Sequence, residues 1–191
     1  CEIVDLGVVR DEPAALEAAF RQASEADAIV TSGGVSVGEA DFIRGLMAKL
    51  GEVAFWKIAM RPGRPMAFGR IGNSWLFGLP GNPVAVMVTF YAFVRDALLA
   101  MSGTTPQPLP MLRAASTQAI RKKAGRTEYQ RGIVTRSAGS ASGWQVEITG
   151  AQGSGILRSM SVANGLVVLG HEQGNVAAGE FILPSGILLT G

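Results

Sequence analysis

The sequence holds one cysteine, Cys1, and one histidine, His171. A single thiol excludes an internal disulfide framework and a cysteine-built zinc site. A single imidazole leaves no multi-histidine metal centre and no histidine-based triad; His171, beside Glu172 at a turn, reads as a surface residue. Charge is also scarce. Only 17% of residues are charged and the net charge of +2 is spread along the chain, without the dense basic stripe of a nucleic-acid binder. No long uncharged hydrophobic run is present: the most apolar stretch, after Pro83, is interrupted at Arg95 and Asp96, which argues for a buried core helix and against a membrane span. The first residues carry neither a basic segment nor a cleavable apolar run, so a cytoplasmic protein is expected.

What the chain does have is apolar mass, with 48% hydrophobic residues and mean hydropathy +0.27, enough across 191 residues to bury a real core. Glu2–Val9 reads as a strand, so the chain is expected to start inside a domain, as a fragment. Asp11-Glu12-Pro13 is a helix start, followed by an apolar stripe at Leu16, Ala19, Phe20 and Ala23. Asp27–Thr31 reads as a buried strand. Ser36 to Glu39 has capping-box spacing and opens a helix with Phe42, Ile43, Leu46, Met47 and Leu50 on one side, closed by Gly51. This β-α-β-α-β order predicts a parallel sheet with crossover helices. Ser74–Gly78 is a further strand, and Asn82 with Pro83 starts a helix running to about Met101.

Composition changes at Thr104–Pro110, where three of seven residues are proline, a polyproline-type linker. Beyond it helical periodicity is missing. Short strand candidates (Met111–Ile120, Tyr129–Arg136, Trp144–Thr149, Gly165–Leu169 and Phe181–Leu183) suit a small β-barrel or sandwich.

Three stretches carry chemistry. Arg61-Pro62-Gly63-Arg64-Pro65 joins two β-leaning segments as a stiff turn holding two guanidiniums, with Lys57 just upstream. Such a turn either solvates a surface bend or receives an oxyanion. Ser32-Gly33-Gly34, followed by Ser36 and Asp41, sits where an α/β sheet presents the carboxyl end of a strand to ligands. A double glycine there is a tight turn or a backbone approach for phosphate, next to a helix N-terminus. Asp11 is a helix N-cap or a second acidic ligand; Asp41 complements a helix dipole or holds a cation on a phosphate. If a metal works here, carboxylates hold it, which suits Mg²⁺. Pro80-Gly81-Asn82-Pro83 offers another helix start, which capping alone explains.

The segments Ser32–Asp41, Phe55–Pro65 and Gly78–Val84, in this order and spacing, resemble the molybdopterin molybdenumtransferases, the MoeA proteins related to the E domain of gephyrin. The resemblance implies a three-layer α/β/α molybdopterin-binding domain over residues 1–103, truncated at its N-terminus. A linker at 104–110 and a small all-β barrel domain at 111–191 follow. It implies insertion of molybdate into adenylylated molybdopterin with hydrolytic release of AMP, in a homodimer, with Mg²⁺. The family's N-terminal domains and the first strand and helix of the α/β domain are expected to be missing here, leaving this fragment inactive alone.

Carried over by position, Asp11, Asp41 and Lys57 are catalytic, with Asp11 and Asp41 as metal ligands. Arg61, Arg64, Pro65, Arg131 and Ser154 face molybdate. Ser32, Gly33, Gly34, Ser36, Pro80, Gly81, Asn82 and Pro83 take pterin or phosphate. Two departures stand out: arginines at 61 and 64 where lysines are common, and Ala85 where a molybdate-contacting serine is usual. Planar forks then replace point charges, and one hydroxyl is lost. The competing readings are a non-catalytic assembly or anchoring module of the same fold, and a generic nucleotide-phosphate hydrolase.

Overall fold

A computed structural model describes residues 1–34, 40–182 and 187–189. The chain divides into two compact units. The first holds Cys1–Ile58 and Gly63–Pro106; the second holds Ala59–Pro62 and Gln107–Gly191. Two residues of the arginine–proline turn, Arg61 and Pro62, therefore belong with the C-terminal unit.

In the first unit, α1 (Pro13–Ala23), β1 (Ala28–Ser32), α2 (Ala40–Leu50), β2 (Gly51–Lys57), β4 (Pro65–Ile71) and β5 (Ser74–Leu79) follow in order. The sheet runs β1-β5-β4-β2. β1 and β5 are parallel, but β4 is antiparallel to both β5 and β2. The expected all-parallel sheet is thus a mixed one, because short connections join β2, β4 and β5 as hairpins, and a hairpin reverses the chain.

Alternation along each strand sends successive side chains to opposite faces. Leu76, Ile29 and Ile71 meet Phe20 of α1 and Ile43, Leu46 and Met47 of α2. Phe77, Leu79 and Met66 meet Val94 with Phe90 and Leu98 on the other face. Helices on both faces make the three layers. The second of these clusters is built by one long helix: α3 (Pro83–Thr89), a π-turn at Phe90–Val94 and α4 (Arg95–Met101). By length and mean hydropathy of 1.7 this helix is long and apolar enough to cross a membrane, yet only 28% of it is buried. It is therefore a half-covered layer, with Val84, Ala85, Val88, Thr89 and Val94 inward and Met87 and Phe93 exposed.

Two sequence expectations fail here. Residues Glu2–Val9 form no strand; Gly7 takes φ 66° and donates its N–H to the Asp5 carboxylate at 2.8 Å. Without a ladder partner among the described residues, an extended segment gains nothing over a local turn. Gly51 does not terminate a helix in the left-handed region; it opens β2. A Cβ there would stand 1.9 Å from the Arg70 carbonyl oxygen, so close strand packing demands the glycine. The capping box Ser36–Glu39 lies outside the described residues.

The second unit is built on a seven-stranded sheet. Its strands are β3 (Met60–Arg61), β6 (Met111–Leu112), β7 (Ala115–Ser116), β8 (Thr127–Arg136), β9 (Trp144–Ile148), β10 (Gly165–Leu169) and β11 (Ile187–Leu189). The order is β6-β11-β10-β8-β9-β7, with β3 pairing β8 in parallel. A short helix, α5 (Arg158–Val162), precedes β10. β6 and β7 stand at opposite ends of that order yet are neighbours in sequence, so the sheet bends until its ends approach. Isolated contacts also tie the β7 region to residues 181 and 182: Ala115 with Phe181 and the Ile182 N–H on the Ala114 carbonyl. Among the described residues no ladder closes a barrel. Val134, Val146, Val167, Leu169 and Ile182 fill the core.

Candidate functional site

Strand directions decide what collects at one end of the first unit. β1, β2 and β5 point the same way and β4 runs back. The carboxyl ends Ser32, Lys57 and Leu79 therefore share a sheet edge with the start of β4 at Pro65. Each helix reverses the strand it joins, so α1, α2 and α3 begin at that edge as well. Ser32–Gly34, Lys57, Arg64–Pro65 and Pro80–Pro83 are thus neighbours of one edge, with Asp11 and Asp41 at the starts of α1 and α2. In open α/β sheets ligands bind outside the carboxyl ends of the strands.

The loops at this edge are tightly made. Gly33 and Gly34 take φ 95° and 70°, values that side-chain-bearing residues avoid. A Cβ on Gly34 would also press to 2.8 Å on Ile43. The Gly33 N–H donates to the Leu79 carbonyl at 3.0 Å, tying the glycine loop to the end of β5. A Cβ on Gly81 would touch Gly33 at 3.5 Å, so the two loops abut. Pro80 is buried, while Ser32, Gly81, Asn82 and Pro83 are exposed. Asn82 occupies the N-cap and Pro83 the first turn of α3. Asn82 makes no side-chain cap bond to the helix. Ala85 is buried on α3.

The β2–β4 hairpin closes with Lys57 opposite Pro65 and an Ile58 N–H to Arg64 carbonyl bond of 2.8 Å. Lys57 and Arg64 are exposed, and among the described residues neither has an ion-pair partner. Asp11 is exposed and lies one residue before the N-cap, which is Glu12. The helix-capping alternative for Asp11 is therefore not what the chain uses. Asp41 lies in the first turn of α2. Ser36 lies outside the described residues. Among the described residues no group of three or more acidic, histidine or cysteine side chains gathers as a metal cage.

The second unit gathers three further candidates. Arg61 sits on β3, paired with Glu128 of β8, and its side chain is exposed. Glu128 itself is buried and bound to Arg126 at 2.7 Å. Arg131 is fully buried. Its Nε donates to Ser159 Oγ at 2.9 Å, Nη1 to the Gln152 carbonyl at 3.2 Å, and Nη2 to the carbonyls of Gly153 at 2.9 Å and Ala151 at 3.4 Å. Burial first, and then the Arg61 charge, lower its pKa; both disfavour a second cation in a dry place. Ser154 follows directly on this clamped loop. Sequence reasoning carried Arg131 over as molybdate-facing; in the structure its fork is bound to main chain and to Ser159. It missed Gln152, whose Oε1 accepts the Arg131 N–H at 2.7 Å and whose Nε2 donates back to the Arg131 carbonyl at 3.2 Å. No local sequence signal marks a partner 21 residues away.

A family model described as "Probable molybdopterin binding domain" matches residues 1–100. A second, "MoeA C-terminal region (domain IV)", matches residues 113–183. The chain is similar to a molybdopterin molybdenumtransferase of Haemophilus influenzae, 43% identical over 185 residues, covering 95% of the chain and 45% of that protein. It is similar to a gephyrin of Dictyostelium discoideum, 30% identical over 93% of the chain and 28% of that protein. A solved molybdenum cofactor biosynthesis protein from Pyrococcus furiosus superposes with TM-score 0.74 at 25% identity, over 97% of the chain and 57% of that structure. The chain spans less than half the length of these two curated relatives. It belongs to the MoeA family, with a molybdopterin-binding domain followed by that family's C-terminal region.

Proposed function

We propose that this chain supplies the pterin- and molybdate-binding half of an enzyme that inserts molybdate into adenylylated molybdopterin and releases AMP. The observation that carries the proposal is the gathering of Ser32–Gly34, Lys57, Arg64–Pro65 and Pro80–Pro83 at the carboxyl edge of one sheet, in a chain of this family. Molybdate is a tetrahedral dianion. Lys57 and Arg64 at that edge are exposed cations with no acidic partner among the described residues, so an anion repays their proximity; Arg61, in the second unit, is a further exposed cation. Gly33 and Gly34 admit a phosphate to the backbone, and the starts of α2 and α3 add positive potential.

Asp11 and Asp41 hold Mg²⁺ in this reading. When bound, the ion screens the phosphoanhydride so that water can displace AMP. The chain's own part is to position and to neutralise charge, with no covalent enzyme intermediate. The division of labour assigns residues 1–103 to the pterin. The longer protein is taken to be a cytoplasmic homodimer, and the isolated chain to be inactive.

The test measures AMP release and molybdenum incorporation by the longer protein that contains this chain, at limiting and at saturating molybdate. Arg61→Ala is expected to raise the molybdate requirement by about 10- to 100-fold, the worth of one charged hydrogen bond. Unchanged yield at limiting molybdate would remove Arg61 from the site. Absence of any molybdate-dependent AMP release by the unaltered protein would sink the activity itself.

A further inference from the structure

The loop after β9 is held in an unusual way. Three successive carbonyls, of Ala151, Gln152 and Gly153, all turn toward one buried guanidinium. All three peptide bonds are trans, since the one cis bond among the described residues is Arg61–Pro62. In a trans peptide the C=O and the following N–H point in opposite directions. Drawing these carbonyls onto Arg131 therefore turns the N–H groups of Gln152, Gly153 and Ser154 away from it. Gln152 and Gly153 are half-buried rather than sealed, and among the described residues neither of their N–H groups has an acceptor.

The charge balance points the same way. Arg131 is wholly buried with carbonyl and hydroxyl partners and no carboxylate among the described residues. An uncompensated buried cation is costly. Here it stands behind the peptide dipoles and near a second cation, Arg61. Successive outward N–H groups backed by positive charge are an anion-binding concavity. The fork faces the protein interior: Arg131 is wholly buried, and four of its five N–H donors are committed to the loop and to Ser159.

We propose that the main-chain N–H groups of Gln152 and Gly153 form a cradle for a tetrahedral oxyanion, and that Arg131 is a positioning residue that shapes the cradle without touching the anion. This rests on the molybdate reading above for the identity of the ligand. The shared chemistry is a tetrahedral oxyanion, and molybdate and phosphate are its two sources. Gln152 is the second positioning residue, since its side chain grips both backbone groups of Arg131.

The experiment titrates the ¹⁵N-labelled 191-residue chain with sodium molybdate, and in a separate arm with inorganic phosphate, following backbone amides and the arginine Nε–H signals. The expected result is a saturable shift of the Gln152 and Gly153 amides in at least one arm, while the Arg131 Nε–H signal stays where Ser159 holds it. The arm with the tighter response names the source. Gly153→Ala keeps the N–H, and its Cβ meets only the Ile156 side chain at 3.2 Å, so affinity is retained. Gly153→Pro removes the N–H and weakens binding about 10- to 100-fold. Arg131→Lys keeps the charge but cannot reach three carbonyls, and it loses the amide response.

Saturable binding that moves the Arg131 Nε–H and leaves both amides unmoved overturns the cradle. So does full retention of the response in Arg131→Lys. A chain that answers neither anion, when the longer protein still shows molybdate-dependent AMP release, overturns the cradle and leaves the activity standing. Loss of that release in the longer protein is the separate failure of the activity.

Discussion

Gly69 on β4 lies opposite Val53 of β2, and a Cβ there would fall 2.0 Å from the Glu52 carbonyl oxygen. Backbone cannot move aside as a side chain does, so Gly69→Ala must spread the β2–β4 pair. Overpacking of this kind costs about 1–3 kcal/mol, readable as a lower urea midpoint. Gly153→Ala, facing a flexible isoleucine tip, is expected to leave the midpoint unchanged. Equal stability of the two variants would show that the hairpin is looser than its geometry implies. Because Lys57 and Arg64 ride on this hairpin, Gly69→Ala is also expected to weaken any anion response at its end. The same attention to single residues separates the arginines. Arg61 and Arg64 are exposed and able to meet a ligand, whereas Arg131 is spent on its own loop.

At the scale of elements, β8 is the spine of the second unit. It pairs with β3, β9 and β10 and carries Glu128, Gln130 and Arg131 as buried polar groups. Tyr129 on the same strand has its phenol pKa raised by burial. The unfolded phenol ionises near pH 10, earlier than the folded one. Tyr129 therefore contributes fully below about pH 10, and its contribution is lost as pH climbs through the interval up to the folded value. Tyr129→Phe should flatten the fall of the urea midpoint between neutral pH and strongly alkaline pH. An unaltered alkaline profile in the variant would mean that Tyr129 is already solvated in the folded strand. The long helix over residues 83–101 illustrates a different balance. Val84, Val88 and Val94 are inward, while Met87 and Phe93 remain exposed, so its apolar composition exceeds what the sheet alone can cover.

For the whole molecule, the chain passes between the two units three times. The polypeptide leaves the first unit at Ile58, supplies β3 to the second, returns at Gly63 and crosses again after Pro106. β3 is fastened to β8 by the ladder Met60–Thr127 and Arg61–Glu128 and by the Thr127 N–H to Ala59 carbonyl bond of 2.9 Å. Cleavage of the proline-rich segment 104–110 is therefore expected to leave both pieces in one gel-filtration peak under native conditions. Separation into two peaks would show that the β3–β8 pairing is too weak to hold them. The segment Arg61–Pro65, which appeared in the sequence as a single turn, is where the chain passes between units: Arg61 and Pro62 lie on one side of that division and Gly63, Arg64 and Pro65 on the other.

The sequence by itself determined what local patterns can carry. Stripes at helical spacing predicted α1 and α2, proline and asparagine placed the start of α3, and the glycine pair marked the turn after β1. The ordered motifs pointed to the family, and with it to the three-layer architecture and the all-β tail. Tertiary structure alone decided the rest, because each point depends on residues distant in sequence. Glu2–Val9 looked like a strand but has no ladder among the described residues. Gly51 looked like a helix stop but answers to the Arg70 carbonyl across the sheet. Arg61 and Pro62 read locally as part of a turn, yet pairing of Met60–Arg61 with Thr127–Glu128 assigns Ala59–Pro62 to the other unit. Nothing near Arg131 in the sequence marks the three carbonyls some 20 residues on that are brought to it. Long-range pairing and burial are set by the closing of the whole chain, and no window of sequence contains them.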